Sequence, residues 1–464
     1  MKQEATDPRE GSVSRNPATG ELIQSYAFQP AALVEQILTE NLKAFNVWRH
    51  APMAERVQCY KRLASTLRER SEALALLATR EMGKTLESSR AEVEKCAAAL
   101  EWIATHGPAI LADEPVEGEG GDRIHVSYLP IGTVLAVMPW NFPFWQVIRA
   151  SGPIMLSGNG YLLKHAPNVM GCAYALQEAY EASGFPKGLF ANLHIGNDVA
   201  AKVIEDPRVA AVTVTGSMRA GSAVASTAGR AMKKSLLELG GADPFIVLAD
   251  ADLDRAVEVG VVARFQNAGQ VCLAAKRFIL EKPIAEEFTR KYVEAVAKVK
   301  AGDPLDPTTT IGPIARDDLR DGVHDQVERS IASGAKLLIG GKKIAGPGFF
   351  YEPTVLGDVT PGMAAFDEEI FGPVAAITVA DDLEHAIALA NRSDYGLSSN
   401  LWTSDRKRAS EIARRLETGG VFVNGYSASN PRVPVGGVKK SGYGRELSHF
   451  GLREFVNAQT VWIK

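Results

Sequence analysis

Apolar residues at helical spacing mark the first part of the chain. They recur every three or four positions over residues 31–49 and again over residues 54–82, a pattern typical of amphipathic helices. Gly83 follows the second run, and glycine often ends a helix because it adopts a left-handed backbone freely. The pattern therefore predicts that two long helices open the fold.

The pattern changes to alternation after Pro115. Ile124, Val126 and Tyr128 stand at every second position, which is typical of a strand exposed on one side. Short apolar runs then alternate with helical stretches. We predict strands at 133–138, 161–164, 209–214, 245–248, 277–280, 374–379, 400–402 and 421–424, and helices at 253–265, 285–300, 383–391 and 406–416.

Alternating strands and helices favour an α/β fold, in which parallel sheets are covered on both faces. A length of 464 residues exceeds one ordinary core and predicts two or three domains. The sequence contains neither an internal repeat nor a low-complexity linker, so composition alone leaves the domain limits open.

The charges of the chain nearly cancel, with 51 Lys and Arg against 55 Asp and Glu. This balance gives no reason to expect nucleic acid or an anionic membrane as a partner. Residues 1–15 lack the apolar core of a secretory signal, and no run of 18 apolar residues occurs that would span a membrane. We therefore expect a cytoplasmic protein.

Four cysteines stand apart from one another, without the spacing of a disulfide framework or a zinc site. Cys59, Cys96 and Cys172 lie in apolar helical contexts, so we expect inert buried thiols. Cys272 follows the small and polar stretch 267–271, which could project it into a cleft. From these residues alone, an inert thiol and a nucleophile remain equally open.

Two further stretches contain groups suited to catalysis. Glu238 stands between leucines and a Gly-Gly pair, and apolar surroundings raise the pKa of a carboxyl, as suits a general base. The alternative is a Glu at a helix end that reaches water. Asn141 lies between two prolines in the loop 139–143, where its amide could stabilise an oxyanion or simply hold a turn.

A candidate phosphate site follows the strand at 209–214. Gly216 and Ser217 lead into a helix that contains Gly221, and the free N–H groups at a helix start bind phosphate. The stretch lacks the GxGxxG pattern, so on its own it indicates a dinucleotide only weakly. The run Gly83-Lys84-Thr85 is rejected as a P-loop because Ala78 stands where the first glycine belongs.

Taken in order and with their spacing, these stretches resemble the aldehyde dehydrogenase superfamily over essentially the whole chain. Residues 369–373, 419–424 and 434–446 resemble it as well. Residues 163–170 (LKHAPNVM) and 445–452 (RELSHFGL) are most similar to bacterial succinate semialdehyde dehydrogenases of the Sad type. The resemblance implies a Rossmann-like cofactor domain, an α/β catalytic domain and a small β oligomerisation domain.

The resemblance also implies how the chain is divided. Residues 1–114 and 131–238, with part of 430–456, are expected to bind NAD or NADP, and residues 239–429 to form the catalytic domain. Segments 115–130 and 457–464 are expected to join the protein into a homodimer or homotetramer.

The site residues follow from the same resemblance. Cys272 is the expected nucleophile, Asn141 and the Cys272 N–H form the oxyanion hole, and Glu238 is the base for deacylation. Lys164 is expected at the adenosine ribose, Ser217 at the pyrophosphate, and Glu369 and Phe371 at the nicotinamide end. The other expected cofactor contacts are Trp140, Pro167, Gly216, Gly221 and Leu239.

The resemblance implies that Arg149, eight residues after Asn141, binds the substrate carboxylate as in members that oxidise succinate semialdehyde, and a guanidinium suits a carboxylate. The alternative is a surface or interface Arg. Gln266 replaces a second substrate arginine known in some similar enzymes, and Ser429 or Arg432 could compensate. Phe144, Trp145 and Phe422 would instead form an apolar pocket in an enzyme of broad specificity.

Two departures bear on cofactor and regulation. Pro167 stands where NAD-specific members carry a Glu, and Lys164 and His165 add positive charge, so both NAD and NADP are expected to work. Ala274 replaces a second cysteine found in some members, so no redox switch through Cys272 is expected. No metal is implied.

Other functions remain open alongside this one. A CoA-acylating enzyme is disfavoured because that subfamily generally lacks the Glu at position 238. A non-catalytic structural protein would not need Cys272, Glu238 and Asn141 together. A thioesterase would leave the cofactor stretches unused.

Overall fold

A computed structural model of the protein describes residues 10–118 and 122–464. The predicted polar start, residues 1–9, and residues 119–121 of the predicted oligomerisation segment lie outside the described residues. The strands are β1 Gly11–Arg15, β2 Leu22–Ala27, β3 Glu114–Val116, β4 Arg123–Pro130, β5 Thr133–Met138, β6 Gly160–His165, β7 Phe190–Asn192, β8 Val209–Thr215, β9 Lys234–Glu238, β10 Pro244–Val247, β11 Arg277–Glu281, β12 Lys336–Ile339, β13 Thr354–Gly357, β14 Val374–Ala380, β15 Tyr395–Gly396, β16 Ser398–Trp402, β17 Gly420–Val423, β18 Val438–Lys439, β19 Gly442–Tyr443 and β20 Val456–Ile463. The helices are α1 Ala31–Trp48, α2 Met53–Glu69, α3 Ser71–Met82, α4 Leu86–Ile110, α5 Trp145–Leu156, α6 Met170–Ala182, α7 Asn197–Glu205, α8 Met218–Arg230, α9 Leu253–Phe265, α10 Lys282–Val296, α11 Asp317–Ala332, α12 Ala364–Asp367, α13 Leu383–Asn391, α14 Arg406–Ala413 and α15 Ser448–Glu454.

Two large sheets organise these elements. The first sheet has the strand order β19-β9-β8-β5-β6-β7, and the second has the order β12-β13-β14-β11-β10-β16-β17. Each is parallel except for one edge strand, β19 in the first and β12 in the second. Strands β5, β8, β10 and β11 are apolar and buried almost throughout, as parallel strands covered on both faces must be. The predicted α/β fold class is therefore confirmed.

The eight predicted strands after residue 130 and the four predicted helices all exist. The bounds of β5, α9 and α13 agree with the prediction, and the others shift by a few residues. The predicted strand around residues 124–128 is β4. Its residues are mostly half-buried on both faces, so the predicted exposure of one side is not observed.

The prediction of two opening helices is wrong in three respects. The run over 54–82 is two helices, α2 and α3, which break at Arg70. Leu67 and Leu74 lie seven positions apart, so the helical spacing continues across the break and conceals it. A hairpin, β1 with β2, precedes α1, and the 25-residue helix α4 was not predicted. Gly83 does end α3, in a left-handed conformation with φ of 92°.

A third, antiparallel sheet has the order β20-β4-β3. β20 pairs with β4 along its whole length, from Val456 opposite Pro130 to Ile463 opposite Arg123. Trp462 and Ile463 are 59% and 51% exposed, so this sheet presents apolar surface at its end. Within residues 10–118 and 122–464, no helix has the length and apolar character needed to cross a membrane.

The first sheet brings the functional loops together. Strands β5, β8 and β9 run parallel, so their carboxyl ends meet at one edge of the sheet. The loops that leave these ends carry Asn141, Gly216 and Gly240. Ligands of doubly wound α/β sheets bind at such an edge.

Candidate active site

Two cavities meet at Cys272. The wide cavity encloses about 450 Å³ and is lined by Cys272, Glu238 and the start of α8, among others. The narrow cavity encloses about 280 Å³ and is lined by Cys272 and residues of α4 and α5. Cys272 therefore contacts two separate spaces, as a group that must reach both a cofactor and a substrate would do.

A strained turn delivers Cys272 to this junction. Three residues a short way before Cys272, namely Asn267, Ala268 and Gly269, all have positive φ, of 53°, 53° and 73°. A side chain at Gly269 would meet the carbonyl oxygen of Gly372 at 2.2 Å, so only glycine fits there. Cys272 is half-buried, whereas Cys59, Cys96 and Cys172 are fully buried, as expected of inert thiols.

Two side chains fix the loop that carries Cys272. The Gln270 side chain donates to the Asn267 carbonyl at 3.1 Å and accepts from the Ala315 N–H at 2.9 Å. Lys276 donates from Nζ to the Cys272 carbonyl at 2.6 Å and lies 3.4 Å from the Glu369 carboxylate. These contacts leave the thiol free while its backbone is held.

Burial raises the pKa of the Cys272 thiol to about 11, although the nearby Arg149 acts against this shift. The resting group is therefore a thiol at neutral pH. Because the thiolate is the nucleophile, reaction at Cys272 requires a group that accepts the proton.

Asn141 is held against the Cys272 loop from both sides. Its Nδ2 donates to the Gln270 carbonyl at 3.0 Å, and its own carbonyl accepts from Asn267 Nδ2 at 2.9 Å. The Asn141 amide has a second N–H, and the residue lines the wide cavity beside Cys272. An amide so fixed is suited to donate to an oxyanion without reorganisation.

A buried ion pair positions the loop that follows Asn141. Glu92 on α4 accepts from the backbone N–H groups of Phe144 and Trp145, each at 2.8 Å. Lys84 pairs with the same carboxylate at 2.5 Å and lies 4.2 Å from the ring centroid of Phe142. This rejected P-loop lysine is therefore a structural residue.

Glu238 is the last residue of β9, so the alternative of a helix-end Glu is wrong. It is buried, and burial raises its pKa to about 8, with Arg149 acting against the shift and Glu446 adding to it. Arg149 lies 3.7 Å from Glu238 and pairs closely with Glu446. The site thus holds two carboxylates around one buried guanidinium.

The wide cavity also has the features of a dinucleotide site. Ser217 begins α8 and accepts from the Ala220 N–H at 3.3 Å, and Arg219 lies beside this helix start. Trp140 and Phe371 meet edge to face with centroids 5.8 Å apart. Glu369 accepts from the Gly241 N–H at 3.1 Å.

Comparisons with known proteins agree with this geometry. The sequence model described as the aldehyde dehydrogenase family matches residues 4–461. The chain belongs to the aldehyde dehydrogenase family. It is 54% identical over 455 residues to the NAD(P)+ succinate semialdehyde dehydrogenase Sad of Escherichia coli K12, covering 98% of both chains. This agrees with the resemblance to the Sad type.

Two further relatives extend the comparison. The probable NADP+ succinate-semialdehyde dehydrogenase of Synechocystis is 46% identical, covering 97% of this chain and 98% of the relative. The crystal structure of succinic semialdehyde dehydrogenase from Streptococcus pyogenes, in complex with NADP+, has a TM-score of 0.95 at 35% identity. That match covers 97% of this chain and 99% of the solved one, which confirms the aldehyde dehydrogenase fold.

The structure brings most of the predicted family residues to one place. The residues that line the wide cavity include Trp140, Asn141, Gly216, Ser217, Glu238, Leu239, Cys272, Glu369 and Phe371. Lys164 and Pro167 lie at the end of β6, outside this lining. They stay predictions for the adenosine end.

Two cofactor predictions need correction. Gly221 does not line the wide cavity. A side chain there would meet Leu239 at 2.5 Å, so the glycine lets α8 pack closely against Leu239. His165 adds no positive charge, because it is buried between the Pro143 and Met138 carbonyls and burial lowers its pKa. The Ala166 N–H donates to Nδ1, so the neutral ring donates from Nε2 to Pro143.

The substrate predictions divide in a similar way. Trp145, Gln266, Ser429 and Arg149 line the narrow cavity. Phe144 is buried behind it, Arg432 is exposed outside it, and Phe422 is not part of its lining, so the structure does not support these three as pocket residues. Arg149 borders the cavity and its guanidinium also pairs with Glu446, so its contact with the substrate stays a prediction.

Sequence reasoning missed several residues of the site. Glu92 and Lys95 went unnoticed because α4 itself was not predicted, and Lys84, just before α4, was considered only as part of a rejected P-loop. Lys276 and Arg219 stand four residues after Cys272 and two after Ser217, where a search for cations near the motifs would have found them. Glu446 lay within a recognised stretch without a role.

Proposed function

We propose that the protein oxidises succinate semialdehyde, or a similar short aldehyde with a carboxylate, to the acid with NAD or NADP. The observation that carries this proposal is the position of Cys272 between two cavities. One cavity has a helix start and aromatic edges suited to a dinucleotide, and the other has a cation and polar groups suited to a small anionic aldehyde.

The residues of the wide cavity fit a nicotinamide dinucleotide. The free N–H groups at the start of α8, together with Arg219, would hold its phosphates, and Glu369 and Phe371 would border its nicotinamide end. When bound, the cofactor supplies a hydride acceptor. Exposed Pro167 offers no carboxylate to repel a 2′-phosphate, which supports use of both NAD and NADP.

Cys272 would begin the reaction. Its thiol would release its proton to solvent in the cavity, and the thiolate would add to the aldehyde carbon, so that a C–S bond forms and the carbonyl π electrons move to oxygen. The free N–H of Asn141 and the Cys272 N–H stabilise this oxyanion. The adduct carbon would then lose a hydride, for which the bound cofactor would supply the acceptor, and this carbon, oxidised by two electrons, would be left as a thioester on Cys272.

Glu238 would complete the turnover. As a carboxylate it removes a proton from water, whose oxygen adds to the thioester carbon. The C–S bond then breaks, the acid leaves, and Cys272 is regenerated. Arg149, placed between Glu238 and Glu446, would stabilise the charged form of Glu238.

Two other enzyme functions differ from this one at particular residues. A CoA-acylating enzyme would pass the acyl group to CoA, and buried Glu238 beside Cys272 favours water instead. An oxidiser of broad aliphatic or aromatic specificity would need a wholly apolar pocket, whereas Lys95, Gln266 and Ser429 place polar groups among the apolar walls of the narrow cavity.

The domain division is proposed as predicted from the family resemblance. The first large sheet, built from residues 133–238 with β19, would belong to the cofactor domain, and the second, from residues 244–423, to the catalytic domain. The third sheet, with exposed Trp462 and Ile463, would join copies of the chain into a homodimer or homotetramer.

An aldehyde panel tests this proposal. Purified protein is mixed with succinate semialdehyde, butanal or benzaldehyde and with NAD or NADP, and the absorbance of the reduced nicotinamide is followed. We expect succinate semialdehyde to give the highest kcat/KM with either cofactor. A preference above about a thousandfold for one cofactor, or turnover only with CoA, would contradict the proposal.

A further inference from the structure

The narrow cavity contains one cation whose charge the protein does not neutralise. Its charged lining residues are Glu92, Lys95 and Arg149. Glu92 is paired with Lys84, and Arg149 with Glu446. Within the described part of the chain, no carboxylate forms an ion pair with Lys95. Lys95 is half-buried, and an ammonium partly removed from water without a counter-ion is unfavourable unless another anion reaches it.

The surroundings of Lys95 hold it in place without neutralising it. Its Nζ donates to Ser429 Oγ at 2.9 Å and lies 4.3 Å from the ring centroid of Trp145. Burial lowers the pKa of Lys95 to about 8, and the neighbouring Arg149 lowers it further. An anion bound beside Lys95 would raise its pKa and so oppose the effects of burial and of Arg149.

Ser429 carries a second, independent sign of an anion site. Its Oγ accepts from Lys95 Nζ at 2.9 Å and also from Trp145 Nε1 at 3.0 Å. A hydroxyl has two lone pairs and one proton, so with both lone pairs engaged its O–H is left to donate. The ammonium also retains N–H groups. Lys95 and Ser429 therefore direct several donors towards a shared acceptor in the cavity that ends at Cys272.

We propose that Lys95, held by Ser429 and Trp145, binds the carboxylate of the substrate and so selects aldehydes with a terminal carboxylate. The inference rests on the proposed function, and it names the residue that sets substrate choice there. Arg149 also borders this cavity, and its pair with Glu446 already offsets its charge.

The Lys95→Met variant tests this inference, with succinate semialdehyde compared against butanal, which has the same chain length without the carboxylate. We expect kcat/KM for succinate semialdehyde to fall about 10- to 100-fold, mainly through KM, because a charge-assisted hydrogen bond is lost. Activity with butanal should stay or rise. Lys282→Met, at an exposed lysine, is the matched control and should change neither.

Three further measurements keep the inference falsifiable. Lys95→Arg should recover most of the lost affinity, and Ser429→Ala should weaken succinate semialdehyde selectively even if Lys95→Met folds poorly. Calorimetric binding of succinate should weaken in Lys95→Met, a readout that needs no turnover. Equal losses for both aldehydes, or a selective loss in Arg149→Lys but not in Lys95→Met, would overturn it. Failure of the wild type with every aldehyde would instead count against the proposed function.

Discussion

The pKa values of Cys272 and Glu238 are shifted in the same direction by the same cause. Burial raises the pKa of both groups, so that at neutral pH the resting site holds a thiol and, in large part, a carboxylic acid. A thiolate and a carboxylate side by side would repel each other strongly in a site so shielded from water. The single guanidinium of Arg149 limits the shift of both groups.

The raised pKa of Glu238 predicts a pH profile. Its carboxylate form is the base, and with a pKa of about 8 this form is scarce at low pH and dominant above that value. We therefore expect kcat to rise as pH increases through about 8, where deacylation limits turnover. Steady-state rates over roughly pH 6 to 10 measure it. A kcat that is flat, or that falls over this range, would show that Glu238 does not act as the base.

Removal of Arg149 should affect stability and the pH profile together. Arg149→Met leaves Glu238 and Glu446 buried without a cation, so we expect a loss of about 3–5 kcal/mol in unfolding free energy and a pH profile moved upward. Arg90→Met removes an exposed pair with Glu72 and should change stability by less than about 1 kcal/mol. An unchanged pH profile with a large rise in KM for succinate semialdehyde would restore the substrate role of Arg149.

Among single residues, those in family motifs could be predicted from the sequence, whereas those whose role depends on contacts formed by folding could not. Cys272, Asn141 and Glu238 could be predicted because their spacing is particular to a family. The pairing of Arg149 could not, because it depends on Glu446, almost 300 positions away. Lys95 gave no sign, since a lone lysine on a helix is usually solvated.

Among the elements, the turn before Cys272 determines where the nucleophile lies. Gly269→Ala would force a left-handed residue against the Gly372 carbonyl, so we expect destabilisation of more than about 1 kcal/mol and a fall in kcat. Gly322→Ala, on the open face of α11, is the control and should stabilise by about 0.5–1 kcal/mol. Thermal unfolding and kcat measure both variants, and full activity of Gly269→Ala would show that the turn tolerates movement.

The elements themselves could be predicted where apolar patterning was strong. Buried parallel strands give continuous apolar runs, so eight of the thirteen strands of the two large sheets were predicted, whereas β7, β9, β12, β13 and β19 were not. Helix α4 was not predicted, and the β1–β2 hairpin was missed because its two short strands mix polar and apolar residues without a continuous apolar run. The omission of α4 mattered for the site, since this helix carries Glu92 and Lys95.

For the whole molecule, the exposed end of β20 predicts a role in assembly. Ile463→Lys would place a charge on this apolar surface, so we expect the protein to shift to smaller species in analytical ultracentrifugation while remaining folded. Met232→Lys changes another exposed apolar residue, 93% exposed and away from this sheet, and should leave assembly unchanged. Unaltered assembly of Ile463→Lys would mean that copies associate through another surface.

The central claim is that oxidation leaves a thioester on Cys272 that Glu238 helps water to remove. Rapid mixing of Glu238→Gln with NADP and succinate semialdehyde tests it most directly. We predict a burst of one reduced nicotinamide per subunit, then a stall, with an acyl adduct on the Cys272 peptide in mass spectrometry. Sustained wild-type turnover, or no burst from a correctly folded variant, would contradict the claim.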